Sequence, residues 1–273
     1  MINKAICVVL YNINASQSNT ITSLIKNASG LKEYQVFIYT NGNCLIDVSF
    51  SSDISVTIKN NFNNLYLAEN YRDALSKCVD LSLDWIVFLD HDTSLTSQFF
   101  ESLNNQILEN NGEVAIYPKI YCKGQQFSPK ELRFGFPFKN IDAGEHYLKD
   151  YVAINSGSAY RVDFLHNSEA IDSRFPLDYL DYVICSHVTR SSNYKVSVLN
   201  TIIDHDLSVS HNERISEFRA NSILNSEREF FTHFRSRFEI LLYKLALVKR
   251  LMRSIFDNNY LYSSSDIIKY ILK

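Results

Sequence analysis

Unbroken apolar runs alternate with helix-spaced ones along the first 110 residues. "AICVVLYN" (5–12) carries apolar residues without alternation, which predicts a strand buried on both faces. "NASQSNTITSLIKNAS" follows, with Ser and Asn as caps and Ile21, Leu24 and Ile25 on one helical face. "YQVFIYTNGN" (34–43) predicts a second strand closed by Asn-Gly, and "ISVTIKN" (54–60) a third. In "NNLYLAENYRDALSKCVDLSL" (63–83) the second half reads as helix, with Ala74, Leu75, Cys78 and Val79 together. "DWIVFLD" (84–90) predicts a fourth strand, and "TSQFFESLNNQILEN" (96–110) a helix capped by Thr or Ser.

That order predicts an α/β domain built on a mainly parallel sheet. Through 112–160 the likeliest strands are "EVAIYPKIY" and "YVAINSGSAYRV", with Gly and Pro clustered between them in "FGFPF". "FPLDYLDYVICSHV" (175–188) reads as helical, which would put Asp178 and Asp181 on one face. "NYKVSVLNTIIDHDLS" reads as a strand ending in His205, and the remainder as helix. The expected division is a catalytic domain over 1–208 and a helical extension over 209–273.

Composition narrows the class. The chain has 273 residues, 46% hydrophobic and 13% aromatic, enough to bury a large core. Its net charge of −3 excludes a strongly basic nucleic-acid binder, and no nucleic-acid partner is expected. Five scattered cysteines with no CxxC argue for reduced thiols and a cytoplasmic protein. The N-terminal apolar run is too short for a signal segment or a membrane span.

Chemistry concentrates at strand ends, where open α/β sheets bind ligands. Tyr11-Asn12, Asn41-Gly42 and Asp90-His91-Asp92 all lie there. Two carboxylates in Asp-X-Asp spacing suit Mg2+ or Mn2+ shared with a diphosphate. The plainer alternative is that Asp92 caps the next helix and Asp90 is solvated. His205, between Asp204 and Asp206, offers a third ligand suited to a borderline ion such as Mn2+. Asp178 and Asp181 are either helix-start carboxylates favoured by the dipole or a general base beside a metal-diphosphate.

In this order the pieces resemble a family 2 glycosyltransferase of the GT-A fold, nearest to the rhamnosyltransferase-like enzymes of bacterial surface polysaccharide synthesis. "VVLYN" resembles the first strand and its nucleotide-contacting turn. "YTNGN" resembles the turn that meets the base, with Thr40 replacing the usual Asp. "NLYLAENYRDAL" resembles the Asn-Leu-Gly-Leu-Ala-Gly-Asn segment, with Tyr66 and Glu69 where glycines are usual. "WIVFLDHDT" resembles the Asp-Gln-Asp metal motif, and "YPKIYCKGQQFSP", "INSGSAYR", "FPLDYLDY" and "DHDLS" follow, over about residues 4–232.

The resemblance implies donor contacts from Tyr11, Asn12, Asn41, Asn70, Asp90 and Asp92. It implies a divalent cation held by Asp92, with Asp90 near the ribose or the ion's waters and His205 completing the set. Asp181 matches the catalytic base of inverting enzymes. Asn155, Ser156 and Asp178 fall on the acceptor side, with Asn155-Ser156-Gly157 shaping the floor between donor and acceptor. The implied donor is a dTDP- or UDP-sugar, with rhamnose favoured, and the acceptor a saccharide or lipid-linked saccharide. Val183, where relatives often carry another acid, and His187, where Arg is frequent, are departures. A metal-dependent phosphohydrolase and a catalytically silent GT-A binding module are the competing classes.

"FRSRFEILLYKLALVKRLMR" (234–253) has six basic residues, one acid and an apolar stripe from Phe234 to Met252. Either the stripe packs on the catalytic domain or it rests on anionic lipid at the cytoplasmic face of the inner membrane.

Overall fold

A computed structural model of the chain describes residues 3–61, 63–190, 194–204, 215–257 and 260–271. Strands β1 (Lys4–Tyr11), β2 (Tyr34–Asn41), β3 (Ser55–Asn61) and β4 (Trp85–Asp90) are interleaved with helices α1 (Asn19–Lys26) and α2 (Tyr66–Asp80). Helix α3 (Ser97–Leu108) leads into β5 (Glu113–Cys122), β6 (Gln125–Ser128), β7 (Lys130–Arg133), β8 (Phe136–Asn140), β9 (Gly144–His146), β10 (Tyr151–Val152) and β11 (Ala159–Arg161). Helices α4 (Val162–Ser168) and α5 (Leu180–Thr189) precede β12 (Lys195–Asp204), after which come α6 (Glu217–Phe234), α7 (Arg237–Phe256) and α8 (Ser264–Ile271).

Among the described residues, nine strands form one sheet in the order β3-β2-β1-β4-β11-β5-β12-β9, with β6 beside β5. Strands β1 to β4 run parallel, β11 runs antiparallel between β4 and β5, and β12 is parallel to β5. The α/β, GT-A-type architecture is thus present: a large, mainly parallel sheet flanked by helices, with further helices at the C-terminal end.

Alternation along β1 explains its unbroken apolar run. Ala5, Cys7 and Val9 face one layer, containing Tyr71, Ala74 and Cys78 of α2. Ile6, Val8 and Leu10 face the other, containing Ile21 and Leu24 of α1 and Phe99, Phe100 and Leu103 of α3. A strand covered on both faces has no use for polar residues. The first layer continues into Leu224 and Phe230 of α6 and Tyr243 and Leu247 of α7, so one core runs from the sheet into the C-terminal helices.

Several expectations need correction. Helix α2 starts at Tyr66, a full turn before its apolar stripe, because the Pro176 carbonyl accepts from the Leu67 and Ala68 N–H groups at 2.9 and 3.0 Å. That partner lies far along the chain. "YVAINSGSAYRV" is two strands, β10 and β11, which belong to different sheets. Gly157 divides them at φ +84°, where an added Cβ would lie 2.8 Å from Ile203 Cδ1 and 2.9 Å from Pro118 Cγ. "FGFPF" is not a loop between strands: Phe134 and Gly135, both at positive φ, turn β7 into β8. Helix α5 begins only at Leu180, after Tyr179 at φ +64°, so Asp178 and Asp181 do not share a helical face.

Candidate active site

The ends of β1, β2 and β4 meet at one edge, with Tyr11 opposite Asn41 and Val9 opposite Asp90. Just past β1, Asn12 adopts φ +50°; its N–H donates to the Asn41 carbonyl (3.1 Å) and its Oδ1 accepts from the Asn43 N–H (3.0 Å). A Cβ at Gly42 would sit 2.3 Å from that Oδ1, so the Asn-Gly turn tolerates only glycine. Tyr11 is exposed beside it.

Asn41 and Asn70 are both buried and both donate Nδ2 to the Tyr66 carbonyl, at 3.4 and 2.5 Å. Asn61 Nδ2 donates to Asn70 Oδ1 at 2.9 Å. Tyr66 itself holds a left-handed backbone, φ +59°, which accounts for a glycine being usual at this point of the resembling segment. Asn41 Oδ1 is buried and accepts no hydrogen bond from the described residues.

Beyond β4, the start of α1 holds the Asp90-His91-Asp92 turn by its backbone. Ser18 Oγ donates to the His91 carbonyl (2.6 Å), and Thr20 Oγ1 lies between the Asp90 and Thr93 carbonyls. Ser156 Oγ accepts from the Asp90 N–H at 3.0 Å. With the main chain fixed from behind, the Asp90 side chain is half-buried and Asp92 exposed. Thr96, not Asp92, caps α3, since its side chain accepts from the Phe99 N–H at 3.2 Å. Capping therefore does not explain Asp92.

Asp181 stands in the first turn of α5. Burial pushes its carboxyl up to about 7; the neighbouring charges of Asp178 and Asp90 push the same way, while the Tyr182 N–H, donating at 2.9 Å, opposes them. Asp90 is thus among the charges that raise Asp181. Tyr71 is stacked on Phe88 (3.8 Å, 13°), its hydroxyl buried without a hydrogen-bond partner among the described residues. Burial chiefly, then Asp90, holds that phenol far above its ordinary range.

Asn155 and Ser156 are buried with internal partners: Asn155 Oδ1 accepts from the Tyr160 hydroxyl (2.9 Å), and Ser156 bonds Thr93 as well as the Asp90 backbone. Asp178 turns away from Asp181's helix and accepts from Arg219 Nη1 (2.6 Å) and Ser222 Oγ (2.7 Å) of α6. Val183 lies in the core, which suits an apolar residue there. His187 is half-buried, its imidazole pulled down by burial and then by the Arg190 charge. His205 and Asp206 lie outside the described residues.

Sequence reasoning missed the support behind Asp181. The Tyr179 hydroxyl donates to Glu227 Oε1 at 2.9 Å, and Arg250 of α7 grips Glu227 through both guanidinium arms at 2.5 and 2.8 Å. A signal existed: Glu227 falls three residues after Leu224 and three before Phe230, on an otherwise apolar face. An acid so placed requires a buried partner.

No family model matches the chain, and no curated protein does. Solved structures do. S. aureus TarS superposes with a TM-score of 0.56 at 13% identity, over 92% of this chain and 47% of that one. TarS 1-349 in complex with UDP-GlcNAc gives 0.51 at 13% identity, over 98% and 70%. GalNAc-T7 with UDP, GalNAc and Mn2+ gives 0.61 at 10% identity, over 100% and 57%. The chain spans about half the length of TarS. At such identities the likeness defines the fold, and that fold is GT-A.

Proposed function

We propose that the chain is an inverting, metal-dependent glycosyltransferase. The observation that carries this is Asp181, in the first turn of α5 with its carboxyl raised to about 7 chiefly by burial, together with Asp90-His91-Asp92 where β4 ends. A base with that affinity is poised to take a proton from an acceptor hydroxyl near neutrality. The structural neighbours crystallised with UDP-GlcNAc and with UDP, GalNAc and Mn2+ support a nucleotide-sugar donor.

Asp90 and Asp92 form an oxygen donor set that fits Mg2+ or Mn2+ sharing its remaining positions with a diphosphate. Among the described residues no group of three His, Cys, Asp or Glu could hold an ion without such help, and His205 is the further ligand in this reading. A bound cation would offset the negative charge of the leaving diphosphate. Asp181 removes the acceptor proton as the hydroxyl oxygen bonds to the anomeric carbon; the bond from that carbon to the diphosphate oxygen breaks, and a nucleoside diphosphate leaves with configuration inverted. Asn41 Oδ1, a buried acceptor with no donor among the described residues, suits the imide N–H of uracil or thymine, consistent with a UDP- or dTDP-sugar.

Rhamnose is the favoured sugar, and a saccharide or lipid-linked saccharide of bacterial surface polysaccharide synthesis the acceptor. In this reading residues 1–208 carry the chemistry and 209–273 brace it, on the cytoplasmic face of the inner membrane. Among the described residues no helix is long and apolar enough to cross a membrane. Calorimetry with UDP, dTDP and GDP, with and without Mn2+, tests the donor site. Metal-dependent binding of one nucleotide, lost in Asp92→Asn, is expected; no binding of any sinks the reading.

A further inference from the structure

Helix α7 has two unlike faces. Tyr243 and Leu247 are buried against the core, and Arg250, on the same face, reaches Glu227. On the opposite side Phe238, Leu241, Leu245, Val248, Met252 and Ile255 are each between 43% and 56% exposed. At about 100° per residue they fall within an arc of roughly 100° along a helix about 30 Å long. Of the two orientations open to this stripe, the structure has the outward one, because the opposite side holds the ion pair and the tyrosine.

The outward face does not end with the helix. Phe134, in the β7–β8 turn, packs edge-to-face on Phe238 with ring centroids 5.6 Å apart, and Phe138 beyond it is 60% exposed. The Arg133 guanidinium lies over both rings, at 5.5 and 5.2 Å from their centroids. Elements distant in sequence thus present one apolar, aromatic surface.

The charges along its two flanks are basic, with exposed Asp257 just past the helix end. Arg237 and Lys244 lie on one flank of the stripe, Lys249 and Arg253 on the other, all exposed. The single acid of the helix, Glu239, is committed to the N-terminal capping box with Ser236. This basic border is local, since the whole chain carries −3. A second copy meeting this face by two-fold symmetry would set basic flank against basic flank, which disfavours self-association.

We propose that this face is a docking surface for an anionic lipid bilayer, with α7 lying in the interface plane, its stripe in the acyl boundary and its flanking lysines and arginines among the headgroups. The aromatic residues of the β7–β8 turn extend the contact at the depth where aromatic rings are favoured. The inference rests on the surface and not on the transferase reading. It further couples the membrane to the site, since the inner face of the same helix carries Arg250, joined through Glu227 to Tyr179, two residues before Asp181.

Vesicle sedimentation of the full chain tests it, with phosphatidylcholine vesicles with and without phosphatidylglycerol. Binding is expected to the anionic vesicles, weaker at raised salt. Lys249→Gln with Arg253→Gln should lower the partition coefficient about fivefold per charge removed. Leu241→Gln with Leu245→Gln should lower it about tenfold or more, with an unchanged circular-dichroism melt because both side chains are exposed. Absence of binding to anionic vesicles at low salt, or equal binding to neutral ones, overturns the proposal. So does a wild-type dimer in velocity sedimentation that the Leu241→Gln, Leu245→Gln variant converts to monomer, since the face would then be covered by a second copy.

Discussion

On the strand-end side of the site, Asn12, Asn41, Gly42 and Asp90 are fixed by backbone and amide hydrogen bonds among neighbouring strands and the start of α1. On the α5 side, Asp178 and Tyr179 are fixed by side chains 41 and 48 residues further along, on α6. The first arrangement follows wherever the parallel sheet forms. The second exists only if the C-terminal helices dock. The candidate metal- and nucleotide-facing groups thus depend on the sheet and the start of α1, and the candidate base on an ion pair carried by the C-terminal helices.

The largest effect expected from this contrast comes at the base itself. Asp181→Asn should lower kcat by about 10²–10⁴ while leaving nucleotide binding close to wild type. Because burial raises its carboxyl to about 7, the base form accumulates only as pH passes that value, and kcat/KM should climb through it to a plateau. The stability sign is opposite. The neutral acid is favoured in the fold, so its contribution is full below the ordinary value of 3.8 and is lost as pH rises through about 7. Asp181→Asn should accordingly melt higher than wild type at pH 8 and alike at acidic pH. An acid limb near 4 would mean that another group is the base.

Glu227→Gln comes next. Removing one partner of a buried ion pair costs about 3–5 kcal/mol, readable as a lowered denaturant midpoint. Turnover should fall with it while Mn2+-dependent nucleotide affinity holds in the folded fraction. Equal loss of both would erase the distinction between the two sides. Asp92→Asn should do the converse, weakening Mn2+-dependent nucleotide binding about tenfold or more at unchanged stability. The smallest effect is at Tyr66. Tyr66→Gly removes a non-glycine residue from a left-handed backbone, at a position where the side chain is 37% exposed, and should stabilise by about 1 kcal/mol in thermal unfolding.

Much of the strand-end side was legible because its information is local. An apolar run followed by Asn-Gly or Asp-His-Asp marks both a strand and its exit, and parallel pairing then brings those exits to one edge. The support behind α5 was not legible in that way. Asp178 and Asp181 look like helical neighbours, yet Tyr179 breaks the helix with a left-handed residue whose hydroxyl is claimed by Glu227. Nor can periodicity state which way an amphipathic helix turns. The stripe of α7 reads equally as a buried face or a lipid-facing one, and Tyr243, Leu247 and Arg250 on the opposite side are what the core accepts.

By itself, the sequence determined the α/β order, the two-faced burial of β1 and the strand ends at which chemistry gathers, since each depends on periodicities of two or 3.6 and on turn residues within a few positions. Tertiary structure alone decided the orientation of α7, the pairing of Glu227 with Arg250 behind the candidate base, and the division of 151–162 between two sheets. The first two outcomes turn on which buried polar group finds a partner from a remote element, and no local pattern along the chain encodes that choice.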